Sequence, residues 1–246
     1  MGKLGRFELD QIYNEDCYKA IKDMPDRIVD CIYVDIPYVI QSGGASESPL
    51  SQRAKRLRNI ELRDIKDGID YSIFDEFERI MKNINIFIWC SKEQIVDILN
   101  YWINKRNKIN FEILTWNKDN PTPLCNNTWL PDIEYCLYFR ESGVKLNDGY
   151  ENKSKWYSSP INKRDKDKFS HPTIKPIELV KRHLLHTTQP NDIVLDCFLG
   201  SGTTAVACKD IGRHYIGFEI DKKWFEIAQN RLNKIDANGQ TSMFLN

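Results

Sequence analysis

The sequence predicts an α/β protein: a seven-stranded, mostly parallel sheet with helices on both faces, interrupted by two loop-rich insertions. Three observations carry this expectation. Seven short apolar runs rich in Ile, Val, Tyr and Phe do not alternate with polar residues, as expected of strands buried on both faces. Helical patterns lie between most of these runs, and strand–helix alternation is the mark of a sheet covered on both sides. A glycine-bearing loop joins a strand ending on an acid to a helix, the arrangement found at the ligand-binding edge of such sheets.

The strands are expected, in order, at Gln11–Tyr13, Val29–Val34, Ile84–Trp89, Phe111–Trp116, Ile133–Phe139, Ile193–Asp196 and Tyr215–Phe218. A helix from Ser72 to Met81 has Ser72 as its cap, and one from Glu93 to Lys105 places Ile95, Ile98, Leu99 and Trp102 on one face. The helix Pro176–His186 opens on a proline, which is tolerated in a first turn. Helices Thr203–Ile211 and Lys222–Ile235 complete the set. Residues 39–70 and 141–170 fit neither period, and loops this long in a compact domain are usually functional or disordered. With no internal repeat or low-complexity linker, residues 1–246 read as one domain.

Composition narrows the class. With 246 residues, 41% hydrophobic and 28% charged, the chain has ordinary globular proportions. No run approaches the ~18 apolar residues of a membrane span. The start, "MGKLGRFELD", lacks an apolar signal core. Seven cysteines, at 17, 31, 90, 125, 136, 197 and 208, form no Cys-x-x-Cys pair. They read as reduced core residues of an intracellular protein, and no metal site is expected. The net charge of zero argues weakly against a nucleic-acid partner, but distribution matters more than the sum. Arg53, Lys55, Arg56, Arg58, Arg63 and Lys66 crowd one insertion; Lys153, Lys155, Lys163, Arg164, Lys166 and Lys168 crowd the other. Either alone reads as a solvated loop.

Two stretches carry chemistry. In "YVDIPYVIQSGG" a buried run stops on the carboxylate of Asp35, followed by Ile36, Pro37 and Tyr38. An ordinary strand-end turn would also explain it. In "NDIVLDCFLGSGTTAVACKDIGRHYIGFEID" a strand ends at Asp196, Gly200 and Gly202 permit a tight turn, Thr203 opens a helix, and the next strand ends at Glu219. That is nucleotide-cofactor geometry, with a strand-end acid for ribose hydroxyls. Read literally, "GSGTTA" also fits a nicotinamide-dinucleotide fingerprint, although the unit stands late, after five strands rather than before them. In "HPTIKPIELVKRHL", Thr173 and Lys175 stand at a helix start, where free N–H groups favour an anion such as the carboxylate of a bound amino acid.

In combination, "NEDCYKAIKDMPDRIVDCIYVDIPY", "TWNKDNPTP", "IEYCLYFRE", "HPTIKP", "VLDCFLGSGTTAVA" and "GRHYIGFEID" resemble, in this order, the S-adenosylmethionine-dependent DNA amino-methyltransferases of the permuted beta subclass. The resemblance implies a Rossmann-like class I methyltransferase fold. It implies methyl transfer from S-adenosyl-L-methionine to the N6 amino group of adenine in duplex DNA by base flipping. It makes Asp35, Ile36, Pro37 and Tyr38 the catalytic tetrapeptide. Asp35 and the carbonyl of Ile36 or Pro37 would accept the two amino N–H bonds, and Tyr38 would stack on the base. Asp16 and the Cys17 backbone would meet the cofactor's adenine end; Thr173, Lys175, Asp196, Phe198, Gly200, Ser201, Gly202, Thr203 and Glu219 would complete its site. Asp16 would equally serve as a helix cap, and Phe198 as core. Trp116, Asn117 and Lys118 would lead into one wall of the base pocket, with core packing the plain alternative for Trp116.

The resemblance also assigns target recognition to 141–170, aided by 39–70, with Arg53, Lys55, Arg56, Arg58, Lys163, Arg164 and Lys166 on DNA. Trp156 and Tyr157 would wedge at the flipped base or anchor their loop. Expected partners are duplex DNA, a second copy of the chain and a cognate restriction endonuclease, in the cytoplasm of a bacterial or phage-infected cell. Two residues depart from the family pattern: Ile36 stands for the first proline of Asp-Pro-Pro-Tyr, and Cys197 for a proline before Phe198. Aspartate at 35 favours adenine, since cytosine-modifying relatives usually carry serine there. Cytosine-N4 methylation, a nicotinamide oxidoreductase and a non-catalytic DNA-binding subunit remain the alternatives.

Overall fold

A computed structural model describes residues 3–39, 68–104, 109–121, 129–147, 153–161 and 174–234. The expected contacts of Arg53, Lys55, Arg56, Arg58, Lys163, Arg164, Lys166 and Thr173 lie outside the described residues.

The chain opens with a two-stranded antiparallel ribbon, β1 (Lys3–Leu4) and β2 (Phe7–Glu8), and then enters the main sheet at β3 (Gln11–Tyr13). Strands β4 (Cys31–Asp35), β5 (Asn85–Cys90), β6 (Ile109–Lys118), β7 (Ile133–Glu141), β8 (Trp156–Ser159), β9 (Ile193–Asp196) and β10 (His214–Phe218) complete it. The order across the sheet is β3-β10-β9-β4-β5-β7-β6-β8. From β3 to β5 all neighbours are parallel, β7 runs antiparallel between β5 and β6, and β8 pairs parallel with β6. All seven expected strands are present. The eighth, β8, lies within residues 141–170, where the sequence predicts a structureless loop, because its four residues gain their pairing from β6 rather than from an apolar run of their own.

Alternation along each central strand divides the core into two. Ile32 and Val34 of β4 and Ile86, Ile88 and Cys90 of β5 face one side. There they pack against α1 (Cys17–Ala20), α2 (Ile73–Ile80) and α3 (Ile95–Asn104), through Ala20, Phe74, Phe77, Ile98 and Trp102. Cys31, Tyr33, Phe87 and Trp89 face the other side. They meet α4 (Ile177–Thr187), α5 (Thr203–Asp210) and α6 (Lys222–Leu232), through Leu179, Leu184, Ala205, Cys208 and Ala228. Burial on both faces explains the unbroken apolar runs. The six described cysteines are all buried and unpaired.

Local signals explain most helix starts. The Asp221 side chain accepts the Trp224 N–H and caps α6. Ser72 does not cap α2 with its side chain as expected; the Asp70 side chain, two residues earlier, instead accepts the Ser72 N–H. Among the described residues, no helix is long and apolar enough to cross a membrane.

Candidate active site

The carboxyl ends of β3, β4, β9 and β10 open into one cavity of about 890 Å³, within the usual ~300–1,000 Å³ of small-molecule sites. It lies where the sheet's connections change direction between β9 and β4, the place such sheets bind ligands. Asp16, Cys17, Asp35, Ile36, Pro37, Tyr38, Lys175, Asp196, Phe198, Gly200, Ser201, Thr203 and Glu219 line it. Two stretches far apart in sequence are therefore brought to a single cleft.

One end of the cavity is rich in acids. Glu219 follows β10, and its two carboxylate oxygens accept the Gly200 N–H at 2.7 Å and the Asp221 N–H at 2.8 Å. This ties the glycine turn to the next strand. Burial raises the pKa of Glu219 above the usual carboxylate value. Asp196, 4% exposed, accepts the Phe198 N–H at 3.0 Å, and burial pushes its pKa up to about 7. Asp16 both lines the cavity and caps α1, accepting the Tyr18 N–H at 3.0 Å. The Tyr18 ring meets Phe198 edge-on, and its hydroxyl accepts the Asp70 N–H at 3.0 Å.

The residues of the glycine turn divide their work. Gly200 borders the cavity in the left-handed region, at φ 54°. Gly202 is not among the lining residues. It holds φ 83°, and a Cβ there would stand 2.8 Å from the Cβ of Ala228, so it serves helix packing rather than the close ligand approach expected of it. Arg231 of α6 donates to the Ser201 carbonyl and hydroxyl and to the Thr203 hydroxyl, so these side chains brace the turn.

The other end of the cavity holds the Asp35 turn. Ile36 buries its side chain in the core and donates its N–H to the Trp89 carbonyl at 3.2 Å, a bond that a proline at this position could not make. An extension of the sheet ladder thus replaces the rigidity of a proline ring. The Pro37 carbonyl accepts from Gln94 Nε2 at 2.9 Å, and Gln94 Oε1 in turn accepts the Ser91 N–H. Asp35 Oδ2 lies 2.6 Å from Lys175 Nζ, while Oδ1 is buried with no hydrogen-bond partner.

Lys175, at the helix start expected to meet a cofactor carboxylate, lines the cavity and has its ammonium among protein groups. It is 5% exposed, and its ammonium contacts Asp35, the Tyr38 hydroxyl at 3.1 Å and Glu134 at 2.8 Å. Glu134 also pairs with Lys118 at 2.7 Å. Burial pushes Glu134 up, but the two lysines outweigh it and hold its carboxyl at about 2. Burial raises Asp35 above the usual aspartate value against the opposing pull of Lys175. Trp116 is core, 2% exposed and donating to Ser159 Oγ, so the packing alternative holds.

Glu134, Gln94 and Tyr18 are site residues that the sequence reading does not single out. A glutamate opening the apolar run "IEYCLYFRE" is the available signal for Glu134; Gln94 carries none. Among the described residues no group of three or more His, Cys, Asp or Glu could hold a metal.

Comparison with known proteins agrees with this geometry. The DNA methylase family (N6_N4_Mtase) matches residues 29–230. The type II methyltransferase M2.LlaDCHI of Lactococcus lactis subsp. cremoris is 30% identical over 249 residues, 91% of this chain and 89% of that protein. M.HinfI of Haemophilus influenzae, also a type II methyltransferase, is 29% identical over 94% of this chain and 70% of its own length. Among solved structures, the M1.HpyAVI–SAM complex superposes with a TM-score of 0.67 at 27% identity, covering 90% of this chain and 98% of the other.

Proposed function

The chain belongs to the N6/N4 DNA methylase family and is a DNA methyltransferase, and from that premise we propose that it methylates the N6 amino group of adenine in duplex DNA, with S-adenosyl-L-methionine as donor. The observation that carries this reading is the partly exposed carboxylate of Asp35 in the same cavity as Asp16, Asp196 and Glu219.

The cavity fits the donor chemically. Three carboxylates suit a ligand bearing cationic and hydroxyl groups, and Phe198 with Tyr18 offers aromatic surface at the same end. Asp16, Asp196, Phe198, Gly200 and Glu219 are the proposed holding residues, Glu219 for ribose hydroxyls. When bound, S-adenosyl-L-methionine supplies an electrophilic methyl group on a sulfonium. The protein's task is then to present a nucleophile. An exocyclic amino nitrogen is poor because its lone pair is delocalised into the ring. The Asp35 carboxylate accepts one of its N–H bonds. Gln94 already engages the Pro37 carbonyl, so the second acceptor is assigned to the Ile36 carbonyl. Two acceptors out of the ring plane draw the nitrogen towards tetrahedral geometry and aim its lone pair at the methyl group. Tyr38 gives the extruded base a stacking face worth roughly 1–3 kcal/mol, against an unstacking cost of a few kcal/mol.

Family membership sets aside the nicotinamide reading of the glycine loop. Adenine is favoured over cytosine by the aspartate at 35. Arg53, Lys55, Arg56, Arg58, Lys163, Arg164 and Lys166 are the proposed phosphate contacts. The relatives' designation as type II methyltransferases supports a cognate restriction endonuclease as a partner. The test is digestion of DNA from an expressing host and chromatography of the nucleosides. N6-methyldeoxyadenosine is expected, and it should vanish in Asp35→Ala. N4-methyldeoxycytidine alone would overturn the adenine assignment.

A further inference from the structure

We propose that Lys175 and Glu134 are positioning residues for the catalytic carboxylate: Lys175 fixes the orientation of Asp35 through Oδ2, and Glu134, fixed by Lys118, anchors Lys175. This deepens the methyltransferase reading and rests on it.

A lysine ammonium has three N–H donors and no acceptor. That of Lys175 has three oxygen neighbours: Asp35 Oδ2 at 2.6 Å, Glu134 Oε2 at 2.8 Å and the Tyr38 hydroxyl at 3.1 Å. Asp35 and Tyr38 each take a hydrogen bond from it, and Glu134 pairs with it by charge, so its neighbours are groups of the protein itself. The remaining surroundings are aromatic, with the Trp89 ring centre 5.0 Å away and that of Tyr38 5.5 Å away. A buried ammonium is retained in such a place only when it is paired. Glu134 does not touch the cavity; it lies behind Lys175 and takes Lys118 on its other oxygen. Charges thus alternate Lys118, Glu134, Lys175, Asp35, running from β6 through β7 to the end of β4.

The consequence is a carboxylate tied down at Oδ2, whose anion Lys175 favours against the opposing effect of burial. The charged and titratable groups facing Asp35 are Lys175 ahead of α4, Glu134 and Cys136 on β7, Cys90 on β5, Asp196 on β9, Tyr33 on its own strand and Tyr38 on its own turn. Lys175 favours the anion; Glu134 opposes it.

The test is carboxyl-¹³C NMR titration of aspartate-labelled full-length protein without cofactor or DNA, the Asp35 signal being identified by Asp35→Asn. The Asp35 midpoint is expected to rise by about one pH unit or more in Lys175→Met and to return in Lys175→Arg. In Glu134→Gln it should move the other way, downward, because an opposing charge has been removed. Calorimetry should find cofactor affinity in Lys175→Met within about threefold of wild type while kcat at saturating cofactor falls by roughly tenfold or more. An unmoved Asp35 midpoint overturns the proposal, as does cofactor affinity weakened about tenfold with kcat retained. Should Lys175→Met not fold, Glu134→Gln decides: a downward shift supports the proposal and no shift overturns it. Methyl transfer by the unaltered protein is a separate measurement, so failure of the methyltransferase reading cannot be mistaken for failure of this one.

Discussion

Asp196 shows how a single side chain couples folding, binding and pH. Its carboxyl titrates at about 7 because burial disfavours the anion. Between the unfolded aspartate value near ~3.9 and about 7, the folded form holds the extra proton, so the Asp196 contribution to stability declines as pH rises through that window. A cationic ligand favours the anion, so donor affinity should rise in the same direction. Calorimetry at about pH 6 and about pH 8 is expected to show roughly tenfold tighter binding at the higher pH, and Asp196→Asn should flatten that dependence. Placement was legible at this scale where chemistry shows in residue type: Asp35, Asp196, Gly200 and Glu219 all border one cavity. The role of Lys175 was not. A lysine near a helix start looks the same whether its ammonium meets solvent, a cofactor or Asp35, and only the fold brings a residue 140 positions away against it.

At the scale of elements, the sheet was readable because strands buried on both faces must be apolar throughout. Their ends shifted by a residue or two, as with Ile109–Lys118 against the expected Phe111–Trp116, since pairing extends beyond the apolar run. Strand β8 was not readable: Trp156–Ser159 includes two serines, and its existence depends on hydrogen bonds to β6. The junction of the glycine turn with α5 makes a sharp prediction. Gly202→Ala places a Cβ against Ala228 on a backbone already in the left-handed region. Strain and overpacking together should cost about 2–4 kcal/mol, read as a lower urea midpoint with unchanged slope. Arg231 would still hold Ser201 and Thr203, so the loss should appear in stability before it appears in donor affinity.

For the whole molecule, binding to DNA is governed by charge placement rather than by the net charge of zero. On the proposed assignment, log affinity for duplex DNA falls linearly with log salt. Replacing Lys163, Arg164 and Lys166 by Ala should reduce that slope by about 0.9 for each phosphate that is no longer neutralised, measurable by fluorescence anisotropy. An unchanged slope would place the phosphate-binding side chains elsewhere.

The sheet order has one more outcome. Strand β10 lies between β9 and β3, and the Asn14 side chain bonds to the Glu219 carbonyl across 205 positions. Ladders that join such distant segments form slowly, because a long loop must close before any bond rewards it. On the ribosome, Asp35 emerges early and must wait, its flank bare of β9, until Ile193–Asp196 has been synthesised far downstream. A nascent chain stopped before β10 would therefore carry Asp35 without Glu219, the proposed ribose-holding acid, and with the glycine turn deprived of the carboxylate that ties it down, so premature termination should leave no half-active modifying enzyme.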